Sequence, residues 1–168
     1  QIRRDGRGIW ARLERPALAG AGEWSHQYGR ADNASFGGET LQGATSISDM
    51  EVQWIGRPGP RFKTDRTGRK PSPLSTNGRF FIQGMDRILA TDAYNGTILW
   101  SLEIPHMGRF NIPRDCGNWC ADNDTVFTAV QEKCWGIDAA KGSVQRYYNL
   151  VPGSSEDQAY QWGYVARV

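Results

Sequence analysis

Leu89-Ala90-Thr91-Asp92-Ala93-Tyr94-Asn95-Gly96-Thr97-Ile98-Leu99-Trp100 is the stretch whose reading decides the fold. Ile88, Leu89 and Ala90 are apolar, and Thr97, Ile98, Leu99 and Trp100 are good strand formers. Between them Asp92 to Gly96 is turn chemistry, with Asn95-Gly96 able to take positive φ. The stretch therefore reads as strand, tight turn, strand.

The hairpin recurs. An offset of 46 residues carries Asp92 onto Asp138, Ala93 onto Ala139, Gly96 onto Gly142 and Ile98 onto Val144. The same offset carries Phe81 onto Phe127 and Asn77 onto Asn123, without a gap from residue 77 to residue 98. In the other direction Trp100 falls on Trp54, although the turn half is lost there. In the later copy Trp100 falls on Arg146, with Tyr147-Tyr148 following. Such self-similarity is the signature of a repeat architecture.

Each unit predicts four short strands. In the middle unit they span about 72–76, 79–83, 87–92 and 97–103, and in the next about 117–121, 125–130, 133–138 and 143–150. Asn77-Gly78, Gly84-Met85-Asp86, Asn123-Asp124 and Ala140-Lys141-Gly142 separate them. No helical period of any length is present. The expected fold class is all-β: four-stranded antiparallel β-propeller blades at about 71–103 and 117–150, with partial blades on either side. A four-stranded sheet with two apolar faces cannot bury both alone, so blades stack. The Trp that closes each unit is expected to pack between neighbours, with Asp92, Gly96, Trp100, Trp54, Asp138 and Gly142 as docking residues.

These residues carry a family resemblance. Ala90 to Trp100 resembles the Ala-x-Asp-x-x-Thr-Gly-x-x-x-Trp docking motif of PQQ-like, quinoprotein alcohol dehydrogenase-like β-propellers, with Asn95 in place of the usual Thr. Gly136 to Gly142 is a second match without the final Trp. Trp24, Tyr28, Asp32 and Asn33 resemble the segment with which such propellers begin, and Trp162-Gly163-Tyr164-Val165 looks like the first strand of a further blade. The resemblance covers residues 23–168; residues 1–22 read as the end of a preceding segment plus a linker. It implies that the remaining blades of the same polypeptide are partners of these. It also implies a periplasmic, extracellular or cell-envelope location, and PQQ with Ca²⁺ as the cofactor pair of the enzymatic members.

Composition bounds the rest. The chain has 168 residues, 19 of them aromatic, with 20 Gly and eight Pro, which favours a turn-rich domain with a real core. Its net charge of +2 gives no footprint for nucleic acid. No apolar run approaches the roughly 20 residues of a membrane span. Three cysteines form neither a zinc nor a haem spacing. Cys116 and Cys120 would lie about 13 Å apart on an extended strand, too far for a disulfide unless a tight loop intervenes. Cys134, at the position matching Ile88, reads as a small core residue.

Function is expected in the loops that join blades. Loop 55–71 holds Arg57, Arg61, Lys63, Arg66, Arg69 and Lys70 against the single acid Asp65. Arginine forks suit carboxylates and phosphates, so Arg57, Arg61 and Arg69 are candidate contacts for an anionic small molecule; a solvated loop facing an acidic neighbour is the other reading. PQQ, a tricarboxylate, has the fitting sign. In loop 104–116 and the residues just after it, Arg114, Asp115 and Asn118 sit where an inner strand begins, nearest the axis. Arg114 and Asn118 are candidate ligand contacts and Asp115 the one candidate catalytic base; a structural pairing of Arg114 with Asp115 is the alternative. His26 and His106 stand in different loops without a second ligand at metal spacing, so no metal site is assigned. Three functions stay open: a ligand-binding or scaffolding propeller module, part of a PQQ-dependent alcohol or sugar oxidoreductase, and a protein-assembly platform.

Overall fold

The computed structural model describes residues 1–14, 16–41, 43–56, 71–107, 117–150 and 162–168. The described residues form ten strands and one 3₁₀ turn, Ile47–Asp49. β1 (Ile2–Asp5) and β2 (Gly8–Ala11) pair as a hairpin inside residues 1–22, the stretch expected to be the end of a preceding segment plus a linker. β3 (Leu74–Thr76), β4 (Arg79–Gly84), β5 (Arg87–Asp92) and β6 (Ile98–Glu103) make one antiparallel meander. β7 (Trp119–Ala121), β8 (Thr125–Val130), β9 (Lys133–Asp138) and β10 (Val144–Asn149) make a second. The molecule is all-β, and the two meanders are consecutive blades in strand order.

Both faces of a blade carry apolar side chains because both are meant to be covered. On β4 and β5 the alternate residues Phe81, Ile88 and Ala90 point at the second blade and are fully buried. Phe80, Ile82 and Leu89 point the other way and are half-buried. The second blade answers with Trp119, Val126 and Ile137, all at 0% exposure, so one apolar core runs between the blades. Burial of each such side chain contributes about 1.5–3 kcal/mol. Polar ties cross the same interface: Gln83 Nε2 donates to Thr128 Oγ1 at 3.0 Å, and Thr76 Oγ1 to Asp122 O at 3.0 Å. These ties satisfy groups that would cost about 1–3 kcal/mol if buried alone.

The inner and outer strands differ from their expected bounds at their ends. β3 begins at Leu74 and β7 at Trp119, two residues inside the expected starts. Both outer strands shift register once. Ile98 pairs with Thr91 but Trp100 with Ala90, and Val144 pairs with Ile137 but Arg146 with Gly136. The extra residue is Leu99 in one blade and Gln145 in the other, 46 positions apart.

Residues 162–168 form no strand. They nonetheless lie along the far side of the second blade. Val165 N donates to Gly117 O at 3.0 Å, and Val165 packs with Cys120, Ala129 and Cys134. The repeat offset puts Val165 at the position of Trp119, the first residue of β7.

Candidate functional site

The turns come first, because they are what the blades grip. In the turn after β5, Asp92 Oδ1 accepts the amides of Tyr94 and Asn95 at 2.8 and 3.1 Å. In the turn after β9, Asp138 Oδ1 accepts those of Ala140 and Lys141, both at 2.9 Å. The Lys141 amide is the largest influence holding the Asp138 carboxyl below its usual range. Each loop then closes on a glycine at positive φ, Gly96 at 72° and Gly142 at 71°. An L side chain at that angle is strained, and here it would also have no room. A Cβ on Gly96 would lie 2.7 Å from the Trp54 ring, and one on Gly142 would lie 2.5 Å from the Trp100 ring.

The indoles are fixed from their other edge as well. Trp54 Nε1 donates to Ala93 O at 3.0 Å, and Trp100 Nε1 to Ala139 O at 2.9 Å. Those alanines donate in turn, Ala93 N to Gly78 O and Ala139 N to Asp124 O. Aspartate shapes the turn, glycine opens a flat seat, and the alanine carbonyl takes the indole proton. The structure thus brings Trp54 to Gly96 and Trp100 to Gly142, one unit to the next.

A second constellation lies at the inner edge. Trp24 and Ser75 exchange two backbone hydrogen bonds of 2.8 Å, an isolated bridge between residues 23–29 and the inner strand β3. One residue on, Ser25 O accepts Ala121 N of β7 at 2.9 Å. Gln27 Oε1 accepts Ser72 N at 3.0 Å, and a Cβ on Gly117 would stand 3.0 Å from Gln27 Cβ. His26 Nε2 accepts Arg167 N at 3.1 Å, and Tyr164 Oη reaches Asn33 Oδ1 at 3.3 Å. One short segment therefore touches the inner edge of the first blade, of the second, and of the segment beyond it. From sequence, His26 stands as an isolated loop histidine; the fold buries it to 3% exposure. No spacing rule could have shown that, because the partner of its Nε2, Arg167, is 141 positions away.

The expected ligand contacts divide between the two sets of residues. Arg57, Arg61 and Arg69, and also Arg114 and Asp115, lie outside the described residues. So does Cys116, while Cys120 is not in a disulfide. Asn118 stands just before β7 at 4% exposure. Its Nδ2 reaches Ala129 O at 3.5 Å, while its Oδ1, like Gln83 Oε1 and Trp119 Nε1, has no hydrogen-bond partner among the described residues. Among the described residues no group of three or more His, Cys, Asp or Glu comes together. A Ca²⁺ site takes about 6–8 oxygens, so Asn118 Oδ1 supplies at most one of them and the described residues do not complete a cage. Cys120 and Cys134 are buried free thiols, and burial pushes them up to about 12 and about 11, which makes them unreactive at neutral pH. No helix of the described residues is long and apolar enough to cross a membrane.

No family model matches the sequence, and no curated protein matches it. Among solved structures the chain is similar to a europium-containing methanol dehydrogenase, at 18% identity and a TM-score of 0.37, over 48% of this chain and 15% of that one. It is also similar to BamB from Moraxella catarrhalis, at 18% identity and a TM-score of 0.34, over 46% of this chain and 22% of that one. The chain thus spans less than a quarter of either structure.

Proposed function

We propose that this chain is a propeller segment of a larger protein, in which it serves as a ligand-binding or scaffolding module. The observation that carries the reading is the repeated dock: each Trp seats on the glycine turn one unit ahead, through the same hydrogen bond and the same close approach. That device joins blades. It orders a ring, and the side chains that would act on a ligand belong to the loops at the opposite ends of the strands. The basic run from Arg57 to Lys70 supports an anionic small molecule as the ligand.

The buried Oδ1 of Asn118, without a partner among the described residues, favours a second reading, a PQQ-dependent oxidoreductase of alcohols or sugars. Asn118 would hold the cofactor assembly by its one free acceptor. Arg114 would face a carboxylate, and Asp115 would take the substrate proton. The bound cofactor would supply the hydride-accepting chemistry. A protein-assembly platform is the third reading.

Titrating PQQ with Ca²⁺ into the full-length polypeptide, then following dye reduction with alcohols and glucose, separates the three. A spectral change with turnover establishes the enzyme. A spectral change without turnover, lost in Asn118→Ala, establishes a binding module. No spectral change, with stoichiometric recovery of a protein partner, establishes the platform.

A further inference from the structure

His26 ties residues 23–29 to the residues beyond the second blade, and the tie has a required protonation state. Its Nε2 accepts the backbone N–H of Arg167 at 3.1 Å. A ring nitrogen that accepts carries no proton. The neutral imidazole must therefore hold its proton on Nδ1, where Ser25 Oγ lies at 2.8 Å and accepts it. Adding a proton at Nε2 sets donor against donor, and the Arg167 bond cannot survive in that form. Among the described residues, 23–29 meet the first two blades through backbone and amide groups that do not titrate: Trp24 to Ser75, Ser25 to Ala121, and Gln27 to Ser72.

We propose that His26 is a proton-operated latch: the neutral imidazole holds the Arg167 amide, and the imidazolium breaks that bond, loosening residues 166–168 while Val165 stays on Gly117 and residues 23–29 stay clasped to the first two blades. The groups around it fix the direction. Burial disfavours the cation and outweighs the attraction of Asp32 on the same segment, so the imidazole sits below its ordinary 6.5. From the released segment comes the Arg167 guanidinium, itself paired with Asp122 at 3.2 Å in the turn after β7. It adds a positive charge to the side that must open. Cys120 of β7, which also lies near the Arg167 amide, stays a neutral thiol. A base whose folded value is depressed costs nothing above the unfolded 6.5; the tie is intact there and is lost as pH falls through the lower folded value. The latch stands on these contacts whether or not the propeller binds a ligand.

Amide hydrogen exchange in the full chain tests it, with each rate divided by the intrinsic rate at that pH. As pH falls from about 7.5 through the folded value of His26, followed by its imidazole ¹⁵N shifts, the protection of Arg167 should fall about tenfold, the loss of one side-chain hydrogen bond, while Ser75 and Ala121 keep theirs. In His26→Gln, whose Oε1 accepts but does not titrate, Arg167 protection should stay within about twofold over the same range. Should that variant fail to fold, imidazole ¹⁵N shifts of the natural protein decide: an Nδ1–H tautomer titrating below 6.5 supports the latch. An Nε2–H tautomer, titration at or above 6.5, or pH-independent protection of Arg167 overturns it.

Discussion

Trp54 and Trp100 meet the turns ahead of them in the same way, yet they arrive from different settings. Trp100 belongs to β6, hydrogen-bonded to β5 along its length, and is 8% exposed. Trp54 sits in a segment with no strand partner, between Val52 at 75% exposure and Ile55 at 89%. The indole hydrogen bonds differ by only 0.1 Å, 3.0 against 2.9 Å. The dock is therefore set by the turn that receives the ring and does not depend on the sheet that delivers it. What the sheet adds is burial: Trp100 also packs on Phe81 at a ring separation of 5.9 Å.

Truncation separates the two most. Trp100→Ala should destabilise the chain by about 3–5 kcal/mol in urea denaturation, because it opens the core between the blades. Trp54→Ala, which empties a half-exposed seat, should cost about 1–2 kcal/mol. Equal losses would mean that burial behind the ring contributes nothing. A finer division comes from the glycines. Gly142→Ala should cost about 2–4 kcal/mol, from positive φ together with the clash on Trp100. In a Trp100→Ala background the clash is gone and only about 1–2 kcal/mol of backbone strain should remain. An unchanged cost in that background would remove the ring from the explanation. The smallest effect is in pH. Asp138 has its folded carboxyl held down by turn amides, so its contribution is present above the unfolded 3.8 and lost as pH falls through the lower folded value. Asp138→Asn should lower the neutral plateau of a stability-against-pH curve and flatten its acid limb, leaving stability below the folded value of the carboxyl unchanged.

The repeat was readable because its parts are local. Asp92, Gly96 and Trp100 lie within nine residues, and an offset of 46 lays the second copy beside the first, so strands β5, β8 and β9 match their expected bounds residue for residue. Residues 23–29 were readable only as a resemblance at Trp24 and Tyr28. Their working contacts, Ser25 to Ala121 and His26 to Arg167, join residues about 95 and 140 positions apart, and no local period encodes such pairs. The β1–β2 hairpin escaped for the opposite reason. Its strands are four residues each, broken by Arg, Asp and Gly, and every one of their residues is exposed.

The register shift in the outer strands decides which way the tryptophan faces. Counting back from Ile98 and Thr91 without the extra residue, Trp100 would stand opposite Leu89, on the face turned away from the second blade. Leu99 is the spacer that turns it round onto Ala90's side. The bulge thus sets the pointing direction of the whole joint: were Leu99 to pair with Ala90 in regular register, an intact indole would aim into the wrong gap. The second blade keeps the same spacer at Gln145 although Arg146 has taken the indole's place, so it still points a side chain toward the position where a further turn would sit.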